Sequence, residues 1–269
     1  MVKKKRVSGW AIFFKVLLFI IKIPYFIGLG IYKLVKKTRE HTEKISVERK
    51  RAEKDANYQD FEIVERKNGN FGAWEKSIAS SESKIGIIVG ARGSGKTAFG
   101  LSLLENVYAK KKSKIFAMGF KKEEMPSWIE VIESVSEIKN NSFILVDEGG
   151  ILFSSRRAMS NPNKLLSELI LIARHKSLNI LFISQNSSNL DVNALRQADY
   201  LILKKPALLQ MNFERKIIKD IYNEVGAGFK KHEKFKGISY VYSDSFRGFV
   251  NNPLPSFWNV RISKSFSDK

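Results

Sequence analysis

Cysteine is absent from the 269 residues, which excludes a disulfide scaffold, a thiolate metal site and a catalytic thiol, and leaves the compartment open. Histidine is nearly absent: His41, His175 and His232 stand far apart, too scattered for an imidazole metal site. Acid is scarce relative to base, with 27 Asp plus Glu against 47 Lys plus Arg, so the net charge is +20. No zinc-finger spacing, RNP motif or recognition-helix signature points to base-specific reading of nucleic acid. No internal repeat occurs, and no N-K-x-D guanine motif; the nearest string, LILKKP, lacks the acid. What is present suffices for a packed core: 43% of residues are hydrophobic and 12% aromatic, which excludes wholesale disorder and collagen-like classes. The length fits one ordinary domain with appendages.

A charge of +20 suits a polyanionic partner, either nucleic acid or an anionic membrane surface, although a generally lysine-rich surface would give the same total. Its distribution is informative. Residues 10–32, WAIFFKVLLFIIKIPYFIGLGIY, form an apolar stretch interrupted by Lys15, Lys22 and Pro24. As a helix it is long enough to cross a bilayer core of about 30 Å. Lys15 and Lys22, seven residues apart, fall on one helical face, so the segment could also lie flat among lipid headgroups; a buried core helix is the third reading. Basic clusters flank it, Lys3 to Arg6 before and Lys33, Lys36, Lys37 and Arg39 after, which suits anionic lipid. No small-residue cleavage site follows, so a cleaved signal peptide fits poorly. We expect a basic N-terminus and membrane helix over 1–32, with spanning ahead of interfacial binding, and a charged stalk or linker over 33–80.

Beyond residue 80 the pattern becomes short β-branched runs alternating with amphipathic helices. The runs are IGIIVG (85–90), KIFAMGF (114–120), SFILVDE (142–148), LNILFISQ (178–185) and DYLILKK (199–205). Helices are expected from Lys96 to about Lys111, around 126–135, and at about 162–176 and 208–225. Apolar runs buried on both faces and joined by helices predict a parallel sheet in an α/β domain. We expect a core over 81–225 and a β-rich extension over 226–269, where ISYVYS and FWNVRIS read as strands.

GARGSGKT, residues 90–97, matches G-x-x-x-x-G-K-[ST] at every fixed position, after an apolar run and before a helix. Glycine is needed there because a loop wrapping a phosphate takes positive φ and turns its amides inward. Gly90, Ala91, Arg92, Gly93, Ser94, Gly95, Lys96 and Thr97 are therefore the expected nucleotide-binding residues. Lys96 is expected to reach the β and γ phosphates, and the Thr97 hydroxyl to ligate Mg²⁺. FILVDE (143–148) supplies the partner: Asp147 at a strand end to hold the hydration shell of Mg²⁺, and Glu148 to polarise the attacking water. LNILFISQ ends in Gln185, whose amide can touch the γ-phosphate or the water; Ser184 can share that role, and a turn-starting polar residue is the plainer alternative.

Walker A GARGSGKT, Walker B FILVDE, LIARHKSLNILFISQ with its strand-terminal Gln, and DYLILK together resemble the FtsK–HerA superfamily of P-loop ATPases. The compact size is similar to genome-packaging ATPases of tailless viruses, and DEGGILFSSRR and ARHK also resemble Zot-like assembly proteins of filamentous phages. The resemblance covers about residues 84–225. It implies a RecA-like (ASCE) P-loop NTPase core with a parallel sheet, assembly into a homo-oligomeric ring, usually a hexamer, and ATP hydrolysis with Mg²⁺ that drives DNA translocation. It implies catalytic roles for Lys96, Glu148 and Gln185. It also implies an arginine presented to the neighbouring subunit's γ-phosphate, for which Arg174 is the first choice and Arg156 or Arg157 the next. A surface cation at a helix C-terminus would look the same as Arg174. Arg92 could lean over the nucleotide or face solvent, and the basic stretch 153–164 could line a pore and grip phosphates without reading sequence.

The leading expectation is a membrane-associated ATPase motor, its core on the cytoplasmic side of a host or virion membrane, that translocates or packages DNA. The alternative is a Zot-like virion assembly or secretion ATPase; that pattern places its membrane segment after the core, whereas here the apolar stretch precedes it. A regulatory GTPase is disfavoured by the missing guanine motif, and kinase chemistry by the lack of a recognisable lid or acceptor site. Of the net charge, +9 belongs to the first 60 residues and +11 to the remainder.

Overall fold

The computed structural model describes residues 9–52, 54–80, 83–149 and 162–263, with only the backbone course at 9, 11–27, 52, 162 and 263. The chain divides into two compact units, Met1–Lys50 and Arg51–Lys269.

In the first unit the backbone is helical from Gly9 onward, the greater part of α1 (Gly9–Ala52). Its described residues from 28 to 50 are almost all exposed, held by local bonds such as the i,i+4 pair Arg39–Glu43 at 3.3 Å. Leu29, Ile31, Tyr32, Leu34 and Val35 are exposed apolar side chains. Among the described residues no helix is long and apolar enough to cross a membrane. The expected membrane segment, 10–32, falls mainly on 11–27 and its basic leader on 1–8, whose side chains lie outside the described residues.

The second unit is built on one nine-stranded sheet ordered β1-β9-β8-β7-β2-β6-β5-β3-β4. The strands are β1 (Glu62–Gly69), β2 (Ile85–Val89), β3 (Lys114–Met118), β4 (Ile129–Val131), β5 (Ser142–Asp147), β6 (Asn179–Ser184), β7 (Tyr200–Lys204), β8 (Ile238–Ser243) and β9 (Phe246–Asn251). β7, β2, β6, β5, β3 and β4 are parallel; β8, β9 and β1 add an antiparallel wing. The parallel sheet expected for the core is present in the first six of these strands, and the wing extends it into a mixed sheet. The reason is connection length: β8 and β9 are joined by two residues, which only an antiparallel hairpin allows, whereas parallel strands need crossovers.

Alternate residues of the central strands feed two cores. Ile85, Ile87 and Val89 face α4 (Pro162–Lys176) and α7 (Lys216–Lys231), while Ile88 faces α2 (Phe71–Ile78) and α3 (Lys96–Lys111). Burial on both faces is why these strands read as unbroken apolar runs. Among the described residues the unit also has the short helices α5 (Val192–Arg196), α6 (Leu208–Phe213) and α8 (Val260–Ser263).

Three sequence expectations change. The helix at 126–135 is replaced by a turn and β4, where β-branched Ile129 and Val131 pair with Ile115 and Ala117. FWNVRIS is not a strand: Val260–Ser263 is a turn of helix, started by the Asn259 side chain accepting from the Arg261 amide at 3.0 Å; β8 pairs instead with FRGFVN. The boundaries drawn at 80 and 225 also do not separate folding units, because β1, β8 and β9 belong to the same sheet as the core. Even the segment before β1 is fastened to α3. The Asn57 amide donates to Glu105 Oε1 at 3.0 Å, and Asn106 exchanges bonds with the Gln59 backbone at 2.9 and 2.8 Å. Arg51, buried, donates to the carbonyls of Met125, Pro126 and Ile129.

Candidate functional site

Parallel strands and returning helices place every strand C-terminus on one edge of the sheet, and the site collects there. The 90–97 loop leaves β2 and enters α3, passing through positive φ at Gly90 (155), Gly93 (77) and Gly95 (88). Gly90 is required twice over, since a Cβ there would stand 2.5 Å from Lys204 Cβ. No side chain caps the N-terminus of α3, so its amides and dipole remain directed at the loop's hollow. Ser94 carries a buried hydroxyl with no hydrogen-bond partner among the described residues. This is the cradle a polyphosphate fits.

Lys96 is buried and folds back on the loop, donating to the Gly90 carbonyl at 2.7 Å and the Ala91 carbonyl at 2.9 Å. Burial pushes its ammonium down to about 8, against the pull of Asp147, Glu148 and Glu214. Across from it, Thr97 Oγ1 donates to Asp147 Oδ2 at 3.1 Å. The other oxygen of Asp147 accepts from the Gly149 amide at 3.0 Å, so the carboxylate is fixed with one edge towards Thr97. Among the described residues no three of His, Cys, Asp and Glu gather to hold an ion unaided. The donor set fits Mg²⁺ bound through phosphate oxygens, the Thr97 hydroxyl and water on Asp147, the hard oxygen ligands that ion prefers.

β6 lies between β2 and β5, and this insertion brings Ser184 to the acid pair. Ser184 Oγ is fully buried and donates to Glu148 Oε2 at 2.5 Å. Gln185 is exposed at the same edge; its Nε2 lies 3.9 Å from where a Cβ on Gly149 would be, beside the Asp147 turn. Its own carbonyl accepts from Gln210 Nε2 at 2.7 Å. Gln210 also donates to Glu214 at 2.6 Å, and Glu214 accepts from the Ser187 amide at 2.9 Å and from its hydroxyl. A polar chain thus runs from the end of β6 into α6 and α7.

Thr97, Asp147, Glu148, Ser184 and Gln185 are brought together with the loop; Arg174 is not. It is exposed in the last turn of α4, the end from which the chain enters β6, so within one chain it sits at the sheet edge opposite the loop. Arg156, Arg157 and most of 153–164 lie outside the described residues.

One residue that sequence reasoning passed over is Lys204. At the end of the apolar run YLILK it is fully buried beneath the loop, donating to Gly237 O at 2.9 Å and Asn252 Oδ1 at 2.8 Å. Its Nζ lies 3.7 Å from where a Cβ on Gly95 would be. Burial, with Lys96 adding repulsion, pushes it down to about 7. A lysine closing an apolar strand beside the loop was the available signal, but its acceptors lie 33 and 48 residues further on.

A phosphate loop between strand and helix, with an extra strand separating it from the acid-bearing strand, is the arrangement of a P-loop NTPase fold. No family model matches the sequence, and no curated protein matches it. Solved structures do resemble it. The DNA-packaging ATPase from Sulfolobus turreted icosahedral virus aligns at 15% identity over 65% of this chain and 100% of that one, with a TM-score of 0.45. The pCW3 conjugation coupling protein, in its monomer form with ATPγS, aligns at 13% identity over 64% and 60%, with a TM-score of 0.42. The N-terminal domain of zonular occludens toxin from Neisseria meningitidis aligns at 20% identity over 45% and 76%, with a TM-score of 0.29.

Proposed function

We propose that this chain is an Mg²⁺-dependent ATP hydrolase that works as a motor on DNA. The observation that carries the hydrolase is the convergence of Lys96, Thr97, Asp147 and Glu148 at one sheet edge, with Ser184 holding the Glu148 carboxylate. The loop amides and Lys96 bind the β and γ phosphates, exchanging the lysine's bonds to Gly90 and Ala91 for bonds to phosphate. Thr97 and Asp147 would hold Mg²⁺, which would supply charge neutralisation at the phosphates. Glu148 accepts a proton from water at its carboxylate as the water oxygen bonds to the γ-phosphorus. The bond to the β–γ bridging oxygen breaks, and ADP leaves with that electron pair. Ser184 keeps the carboxylate aimed, and Gln185 touches the γ-phosphate or the water and passes its loss through Gln210 and Glu214 to α6 and α7.

DNA as cargo is supported by the net charge of +20 and by the motif resemblance; its grip is on phosphates and sequence-independent. A homo-oligomeric ring is supported by the motif resemblance, which implies an arginine supplied by a neighbouring subunit. Arg174, exposed and away from its own loop, is the candidate. The apolar stretch 10–32 with its flanking lysines supports attachment to an anionic membrane, the ATPase unit on the cytoplasmic side.

The deciding experiment is ATP turnover by the full chain with and without duplex DNA. Stimulation of several-fold at low salt is expected. Glu148→Gln should lower turnover by about 100-fold or more while nucleotide still binds, and Lys96→Ala should abolish binding. Turnover indifferent to DNA of any form rejects the DNA motor and favours a virion-assembly ATPase. Loss of the full chain from anionic vesicles in a flotation assay rejects membrane attachment.

A further inference from the structure

Beyond the phosphate site, the loop has a second side. Residues 91–94 form one wall of a cavity of about 320 Å³, at the lower end of the range of roughly 300–1,000 Å³ for small-ligand sites. Its opposite wall comes from the end of β7 and the turn between α7 and β8: Pro206, Glu233, Phe235, Lys236 and Ile238. The cavity therefore lies on the β7 and β8 side of the loop, while Asp147 and Glu148 lie on the β6 and β5 side. A nucleotide whose terminal phosphate faces Glu148 must extend its other end away from that acid, and this is where the cavity is.

Its lining has the composition a nucleoside needs. Phe235 is half-buried, packed beneath against the core and tilted against His232 with ring centroids 6.4 Å apart, so its ring is held in place rather than loose. Pro206 and Ile238 add apolar walls, and Glu233 and Lys236 put polar ends at the rim. The exposed ammonium of Lys234 stands 5.0 Å from the Phe235 centroid, a solvated contact that a flat ring displaces at little cost. His232 is fixed in turn by Glu65 of β1 at 2.7 Å, which ties the aromatic wall to the edge of the sheet.

We infer that the chain following α7 builds the base-binding half of the nucleotide site, with Phe235 stacking the base and the cavity between residues 91–94 and 233–238 holding the nucleoside. This rests on the nucleotide reading above and adds to it a specificity-determining residue outside the loop motif. It also gives the C-terminal segment a second task, since Gly237 and Asn252 already hold Lys204 under the loop.

Inorganic triphosphate carries the phosphates without the base, so it separates the two readings. Binding of ATP and of inorganic triphosphate to the full chain would be measured by calorimetry. Phe235→Ala should raise the ATP dissociation constant by about tenfold or more, the usual effect of removing an aromatic from under a base, with triphosphate affinity unchanged. Phe235→Tyr should retain most of the ATP affinity. Equal affinities of wild type and Phe235→Ala for ATP, or equal losses for both ligands, overturn the inference while leaving the phosphate site standing. Failure of wild type to bind either ligand, or binding unaffected by Lys96→Ala, sinks the underlying nucleotide reading instead. Should Phe235→Ala not fold, Phe235→Trp gives an optical readout. Its emission should be quenched by ATP and not by triphosphate, and an unchanged emission with both overturns the inference.

Discussion

At the scale of single residues, two buried polar side chains, Ser184 and Lys204, are held by partners far along the chain. Ser184 is the partner that aims Glu148, and a hydrogen bond to a charged group is worth about 1.5–3 kcal/mol. If it holds the carboxylate for the attacking water, Ser184→Ala should slow ATP turnover by about tenfold or more with little change in nucleotide affinity. Steady-state and single-turnover kinetics would check this; equal losses in binding and turnover would show a purely structural role. Lys204 makes a pH prediction. Its ammonium is pushed from 10.5 down to about 7 in the folded chain, so between those values the unfolded chain binds more protons. Stability therefore rises with pH across that window, and the burial penalty is in full force below it. Lys96, pushed down to about 8, acts in the same direction. Thermal midpoints should climb from pH 7 towards pH 10, and climb less in Lys204→Met. A variant whose pH profile overlays wild type would show that the depressed lysine does not contribute.

At the scale of elements, the antiparallel wing is what the parallel core needs in order to finish the site. β7 carries Lys204, and β8 and β9 bring Gly237 and Asn252 to it. β1 then closes on β9. Its Glu65 meets Lys67 at 2.6 Å, His232 at 2.7 Å and Lys231 at 3.0 Å. These partners, Lys67 foremost, hold the carboxyl at about 2, below its ordinary 4.5. The folded-state value is depressed, so its contribution is complete above pH 4.5 and is lost as pH falls towards 2. Glu65→Gln should flatten the acid limb of the stability curve over that window, read by circular dichroism. Two elements outside the wing departed from expectation for local reasons. Ile129 and Val131 sit in a stretch with helical spacing, yet they pair with β3 because an exposed strand edge and β-branched side chains favour that outcome. The Phe257–Ser263 stretch has alternating apolar residues, but Asn259 and the prolines before it direct it into a turn of helix.

At the scale of the whole molecule, +20 is divided between the first 60 residues and the remainder, and the two shares make separable predictions. DNA stimulation of ATP turnover should fall steeply with salt. A protein covering about six phosphates loses roughly a thousandfold in affinity between about 50 and 200 mM salt. Vesicle attachment through an apolar segment should survive the same salt, because burial of hydrocarbon is not screened. Titration of both activities with potassium chloride distinguishes them, and parallel loss of the two would place both on one electrostatic surface.

Residues 85–89 and 143–147 were legible as strands because burial on both faces leaves an uninterrupted apolar run, and residues 90–97 as a loop entering a helix because glycines at fixed positions allow the positive φ that the turn takes. Asp147 and Glu148 were legible for the same reason: their place follows from the strand that carries them. These are local constraints, and the sequence by itself determined them. Tertiary structure alone decided what depends on contacts between distant segments. It set β6 between β2 and β5, which brings Ser184 to Glu148; it closed the sheet with β8, β9 and β1; and it placed the acceptors of Lys204 and the ring of Phe235 beside a loop more than 100 residues earlier. The physical reason is that a buried ammonium or a half-buried ring needs partners, and nothing in its own neighbourhood of the chain records where the sheet order will bring them.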